Sequence, residues 1–470
     1  VKRLLLSALL SNLLLAAFAQ NPMQDIRARF AARDYPSGNS LAWMYYESDT
    51  SSLLEKVTLQ IWIAAAECLS DKTEVGTKRL NWLLSNYRFG QEDKSRIVGI
   101  MRNCNQASTE TVFAERSTAE GGPQPLLLVI NTPTVRAGSA GKGGRAVYSL
   151  EPNVVKLQPV ELLQIDLPDK VALHASNSAI HAQYSGVYAD LYPHQVYSTD
   201  RISVVATAAV PQLQLRAVAN YLTGLQQNYA ERYGYRQPPY RTVVHLVNTE
   251  NEFPAIAERG LGQRVPKGVI GLSDTQTNSI VMALYIDYVD PQYCGTVQHE
   301  LMHLLINYNN PFLPPWLSEG LPSLHEVTTQ NGMTGMPNWR GQILREVYRQ
   351  NAEALLPNMK ELITADWSNF HGYSSQADGD YVDLSQQALN YAYNRYFLLF
   401  LQGNELLLPV FQAFSNNQPG RDGALQTPEE LILASTGKNI EELDQAFRAV
   451  LEQFLRSGNT NENIIKMRKN

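Results

Sequence analysis

Apolar positions recur at helical spacing along the early chain, over Leu53 to Leu69, Leu80 to Tyr87 and Lys94 to Met101, and they predict a helical region from about 40 to 105. Ser52 and Glu55 form a capping box at the head of the first of these helices. After Pro123 the texture changes: the apolar run 126–130 reads as a strand, and short β-like runs continue to about Val196. Between them lie Gly138, Gly141, Gly143 and Gly144, which lack the Lys-Ser/Thr ending of a phosphate cradle and read as a hairpin or surface loop. Ile202 to Thr207 predicts another strand. Pro211 then opens a long helix with Leu215, Val218, Leu222, Leu225 and Tyr229 on one face, closed by Gly234. Strands follow at Thr242 to Val247, Val269 to Leu272 and Ser279 to Leu284, with a short helix over Asn251 to Glu258. Beyond Trp316 the pattern is helical, at 338–350, 358–364, 384–402, 405–415, 428–435 and 440–456. Strands grouped in the middle and helices at either end predict an α+β fold.

The first residues read differently. Lys2 and Arg3 precede an apolar run from Leu4 to Ala19 that closes with Ala17-Phe18-Ala19, the small-x-small pattern of a cleaved signal peptide. The run is shorter than the ~20 residues a membrane span needs and is interrupted by Ser7, Ser11 and Asn12. The expectation is a bacterial exported protein, periplasmic or extracellular, with no membrane span after cleavage at Ala19. The segments are then 1–19 signal peptide, 20–120 helical region, 121–198 β-rich region, 199–456 a further domain and 457–470 a polar tail. An oxidising compartment would let Cys68 pair with Cys104, both near the ends of helical patterns, and leave Cys294 as a buried thiol. With 470 residues, 44% hydrophobic and 18% charged, the chain can bury more than one core, and its net charge of −6 supplies no basic field for nucleic acid.

The chemistry concentrates at His299-Glu300-Leu301-Met302-His303. On a helix, residues four apart share a face, so both imidazoles can reach one ion while Glu300 reaches a water activated by it. Asp290 as cap, Pro291 in the first turn, and Val297, Leu301, Leu304 and Leu305 as an apolar face support that helix. A catalytic zinc needs a third protein ligand and one open position. Glu319, within Trp316-Leu317-Ser318-Glu319-Gly320, is the candidate, because a turn through Asn309 to Pro315 would return a second helix against the first. The expected metal is Zn2+, held by His299, His303 and Glu319, with Glu300 as general base. His325 lies six residues past Glu319, off the ligand face, and reads as a surface position. His174, His181, His194, His245 and His371 have no ligand spacing, and Gly372 to Asp380 reads as a surface loop.

With its paired motifs HELMH and Pro315-Trp316-Leu317-Ser318-Glu319-Gly320-Leu321, and a strand-rich lead-in from Thr242, the chain resembles the gluzincins, in particular the peptidase MA-like group. The resemblance covers about residues 200 to 455 and implies a thermolysin-like zincin domain: a small mixed sheet, the HExxH helix and a helical C-terminal half. It also implies an edge strand, here Gly271 to Leu284, whose main chain binds an extended peptide or protein substrate. Members of the group often carry a tyrosine beyond the glutamate ligand that stabilises the oxyanion, a place matched by Tyr391 first and Tyr393 second. Two features depart from the family pattern. The interval from His303 to Glu319 is shorter than in thermolysin, and Pro322 stands where small helix formers are usual, implying a kink unless it falls in the helix's first turn. The activity implied is hydrolysis of peptide bonds by a metal-activated water. A zinc-containing binding or scaffold protein, engaging cell-surface polymers through residues 21–195, is the alternative, but it has no use for the intact general base Glu300.

Overall fold

The computed structural model describes residues 22–48, 53–70, 72–87, 89, 91–102, 154–156, 167–191, 193–249, 251–265, 271–283, 295–326, 328–329, 332–333, 339–376, 379–420 and 423–456. The expected leader, the capping residue Ser52, the strand at 126–130, the glycine loop, Cys104, Asp290, Pro291, Cys294 and the polar tail lie outside them. The chain divides into two compact units, one drawn from Val1–Leu84, Phe89–Pro123 and Pro419–Leu425, the other from Ser85–Arg88, Gln124–Gln418 and Gln426–Asn470.

The first unit is helical among its described residues: α1 (Pro22–Ala31), α2 (Tyr35–Tyr46), α3 (Leu53–Cys68), α4 (Thr73–Asn86, which ends in the second unit) and α5 (Gln91–Arg102). Asp34 caps α2 by accepting from the Ser37 N–H at 3.3 Å. Phe30, Leu59, Trp62, Ile63, Leu80 and Leu83 are buried in its core. Cys68, the last residue of α3, is disulfide-bonded. A buried cation anchors the segment contributed by Pro419–Leu425. Arg79 is 0% exposed and donates to both Glu67 oxygens at 2.9 Å, to Gln60 Oε1 at 3.2 Å, and to the Pro419 and Gly420 carbonyls at 3.1 Å each. These bonds employ every guanidinium N–H, which lets a charge exist in an apolar interior.

The second unit is built on a mixed five-stranded sheet. In chain order it holds β1 (Val154–Lys156), α6 (Asn177–Gln183), β2 (His194–Ser198), β3 (Ile202–Thr207), α7 (Gln212–Tyr233), β4 (Thr242–Val247), α8 (Glu252–Leu261), β5 (Gly271–Asp274) and β6 (Ser279–Ala283). The sheet order is β2-β3-β4-β6-β5. β3, β4 and β6 run parallel, joined through α7 and α8, while β2 and β5 pair antiparallel at the two edges. Because β2 joins β3, the sheet draws one strand from the stretch read as a separate β-rich region.

Both faces of the central strands are covered, so β3, β4 and β6 are buried along their whole length. Alternation then sorts their side chains into two cores. Val204, Ala206, Val244, Leu246, Ile280 and Met282 pack with α7 and the C-terminal helices, whereas Val205, Val243, Val247 and Val281 pack with Ile180, Tyr184 and Tyr188 around α6 and with Phe253 and Ile256 of α8.

After the sheet come α9 (Gly295–Asn309), α10 (Pro315–His325), the small hairpin β7 (Thr328–Thr329) and β8 (Gly332–Met333), α11 (Trp339–Arg349), α12 (Met359–Thr364), α13 (Trp367–Phe370), β9 (Tyr373–Gln376), β10 (Gly379–Asp383), α14 (Leu384–Gly403), α15 (Leu407–Asn416), α16 (Pro428–Thr436) and α17 (Ile440–Arg456). Asp383 caps α14, and a full capping box of Thr427 and Glu430 starts α16. The stretch Gly372 to Asp380, read above as a surface loop, instead contains β9 and the start of β10, which form an antiparallel hairpin extended by β1. Its strands carry Ser374, Ser375, Gln376 and Asp380, so no apolar alternation marks them in the sequence. Among the described residues no single helix is long and apolar enough to cross a membrane.

Removing Arg79 leaves Glu67 as an unpaired buried charge. Arg79→Ala is therefore expected to destabilise the protein by about 3–5 kcal/mol, measured by urea unfolding. The paired change Arg79→Met with Glu67→Leu should recover most of that loss, because an apolar pair of similar volume removes both charges.

Candidate metal centre

The centre is built from two helices that pack against each other. α9 presents Val297, Leu301, Leu304 and Leu305 to the core, which turns His299 and His303 together along another face. The chain reverses through Asn310 to Pro314, and α10 begins with Pro315 at its first position, where a missing N–H costs nothing. Trp316, Leu317, Leu321 and Leu324 lock α10 into the main core, and Trp316 meets Phe414 edge-on. This brings Glu319 to the histidines.

The donor atoms converge. His299 Nε2 and His303 Nε2 are 3.0 Å apart, and Glu319 Oε2 lies 3.3 Å from His303 Nε2 and 3.8 Å from His299 Nε2. Donors bound tetrahedrally at about 2.0–2.1 Å from one ion lie about 3.3 Å from each other, and the three separations scatter around that value. His299, His303 and Glu319 thus form a group able to hold a metal ion, and His299 and Glu319 are buried.

A second layer fixes the orientation of His299. Glu326 Oε1 lies 3.1 Å from His299 Nδ1. Burial alone would raise the Glu326 carboxyl pKa, but the Arg340 guanidinium and the His299 contact outweigh it and hold the group down to about 2. An ionised carboxylate only accepts, so the proton sits on Nδ1 and the Nε2 lone pair faces the donor group, as a metal ligand requires. Arg340 donates from Nε to both Glu326 oxygens, at 3.0 and 2.9 Å, and from Nη2 to Oε1. Its guanidinium lies 5.0 Å over the ring of Tyr391. Gly295 makes this arrangement possible: a Cβ there would lie 2.7 Å from the Glu326 carbonyl oxygen, so no other residue lets the end of α10 approach the first turn of α9 so closely.

Glu300 follows His299 on α9, 2% exposed, with Oε2 accepting from Ser273 Oγ at 2.6 Å and Oε1 without a hydrogen-bond partner among the described residues. An orphaned buried carboxylate oxygen beside three convergent ligands fits a site where a polar molecule docks. Ser273 belongs to β5, which is the sheet edge expected within Gly271 to Leu284.

The two candidate tyrosines differ. Tyr391 lies under Arg340, with its hydroxyl 3.4 Å from His371 Nδ1. Tyr393 is committed elsewhere: its hydroxyl donates to Asp444 at 2.6 Å, tying α14 to α17. His325 is not at the surface as expected. It is 1% exposed, 2.9 Å from the Tyr233 hydroxyl, and burial lowers its pKa well below the ordinary value. The off-ligand side of α10 faces the aromatic core rather than water, so helical phase alone misjudged it. Pro322 is the eighth residue of α10, beyond the first turn, and cannot donate to the Ser318 carbonyl. His245 sits inside β4, bonded to Tyr188 at 3.0 Å, and burial takes its pKa down to about 3.

Glu326, Arg340 and Ser273 were not singled out in the sequence. Only Glu326 had a local signal, seven residues after Glu319 and hence about two helical turns on. No protein-family model and no curated protein matches the chain.

Glu326→Gln keeps the shape but removes the anion that fixes the His299 tautomer. Its zinc affinity should fall about 10- to 100-fold, read by competition with a fluorescent chelator. An unchanged affinity would mean that His299 does not depend on Glu326.

Proposed function

We propose that the protein is an exported zinc-dependent metallopeptidase of the gluzincin kind, with a thermolysin-like domain holding the site. The observation that carries this reading is the convergence of His299, His303 and Glu319 on the helix pair that also carries the buried Glu300, whose Oε1 has no hydrogen-bond partner among the described residues. Two imidazole nitrogens and a carboxylate suit zinc, and the three ligands found among the described residues would leave a position for substrate or water, unlike the closed four-ligand structural sites. The mixed sheet with an antiparallel edge strand against α9, and the helical run after it, agree with the layout that the resemblance implies.

Zinc, when bound, supplies a Lewis acid that lowers the pKa of water to about 7. Glu300 would take a proton through Oε1 from the water whose oxygen adds to the scissile carbonyl, and would deliver that proton to the amine nitrogen as the C–N bond breaks. The β5 main chain pairs with an extended peptide segment and presents its carbonyl, using backbone groups that do not discriminate side chains. Tyr391 is the candidate for stabilising the oxyanion, with His371 beside its hydroxyl. The pattern of Lys2, Arg3 and the Leu4 to Ala19 run supports export, to the periplasm or the medium.

Glu300→Gln is expected to retain zinc and to lower the hydrolysis of unstructured casein about 100- to 10,000-fold. His303→Ala should release the metal, as measured by elemental analysis. Wild type and Glu300→Gln equally inert across a broad peptide library would instead favour a zinc-containing scaffold protein.

A further inference from the structure

We propose that Ser273 is a positioning residue for Glu300, holding one carboxylate oxygen so that the other stays available to take a proton. The inference rests on the peptidase reading and deepens it. Helical geometry places the Glu300 side chain but does not fix its carboxylate, because the terminal torsion of a glutamate is broad. An external contact has to set it. Ser273 Oγ provides one, donating to Oε2 at 2.6 Å. Oε1 is left buried with no partner among the described residues.

The strand reaches the helix because residue 271 has no side chain. A Cβ on Gly271 would lie 2.0 Å from Thr296 Cγ2 and 3.7 Å from Glu300 Cγ, so a side chain there would displace the Thr296 methyl that packs against β5. Residues two apart share a strand face. Gly271 and Ser273 therefore both face α9, while Leu272 points into the opposite core. Glycine brings the strand in, and serine uses the proximity.

The same strand is the one proposed to pair with substrate. One short element thus holds the substrate backbone and the base in a common frame, and misplacing a reacting group by about 1 Å costs about 100-fold in rate. A serine present only to satisfy a buried carboxylate would contribute to stability and leave turnover unaffected once the fold is intact.

The test compares wild type, S273A and S273T on fluorescent casein, with zinc content measured on each, and adds metal-free melting of S273A, E300A and the double variant. The kcat of S273A should fall about 10- to 100-fold with KM little changed and zinc content equal to wild type, and S273T should restore most of the rate. A wild-type kcat in S273A, loss of zinc, or an S273T as slow as S273A would overturn the proposal. Were wild type itself inert on casein and across the broad peptide library, the peptidase reading would fall by itself and melting would still judge the contact. S273A should lower the melting temperature when Glu300 is present and not when it is alanine, and equal shifts in both backgrounds would overturn it.

Discussion

Two imidazole nitrogens 3.0 Å apart in a mostly buried site, with a carboxylate oxygen beside them, are unfavourable unless something shares their lone pairs. A proton can serve one pair of them. A divalent cation serves all three at once, and the rest of the second unit is arranged so that this convergence does not relax. α9 and α10 are fixed by apolar contacts on their other faces, Glu326 dictates which His299 nitrogen carries hydrogen, and Arg340 pins Glu326. The polar chain extends through the ring of Tyr391 to His371, so the packing of α14 and α13 also bears on the ligand geometry. Such outer partners are what turn three side chains within reach of an ion into a site of defined orientation.

The sheet contributes differently. Its central strands are buried on both faces, while β5 is an edge strand among the described residues and lies against the helix that carries Glu300.

What the sequence disclosed depended on distance along the chain. His299, Glu300 and His303 declare themselves through helical spacing, and Glu319 through a return short enough to force two helices together. β3, β4, β6 and α7 were likewise visible, because short runs rich in Val and Ile and the 3.6-residue period are local signals, whereas β2 was not singled out and β5, among the described residues, begins two residues later than its pattern suggested. Arg340 and Ser273 were not visible, since each meets its carboxylate only after the fold closes, 14 and 27 residues away in sequence. His325 was misjudged because a helix packed on all sides has no solvent face for its polar residues to mark. The β9–β10 hairpin was hidden by its polar composition.

His299, His303 and Glu319 are proposed to bind one zinc ion together. X-ray absorption at the zinc edge of the metal-loaded protein tests it most directly. The expected spectrum has a first shell of nitrogen and oxygen only, at about 2.0–2.1 Å, with outer-shell scattering from two imidazoles. A sulfur shell at about 2.3 Å, or a spectrum without imidazole scattering, would contradict it.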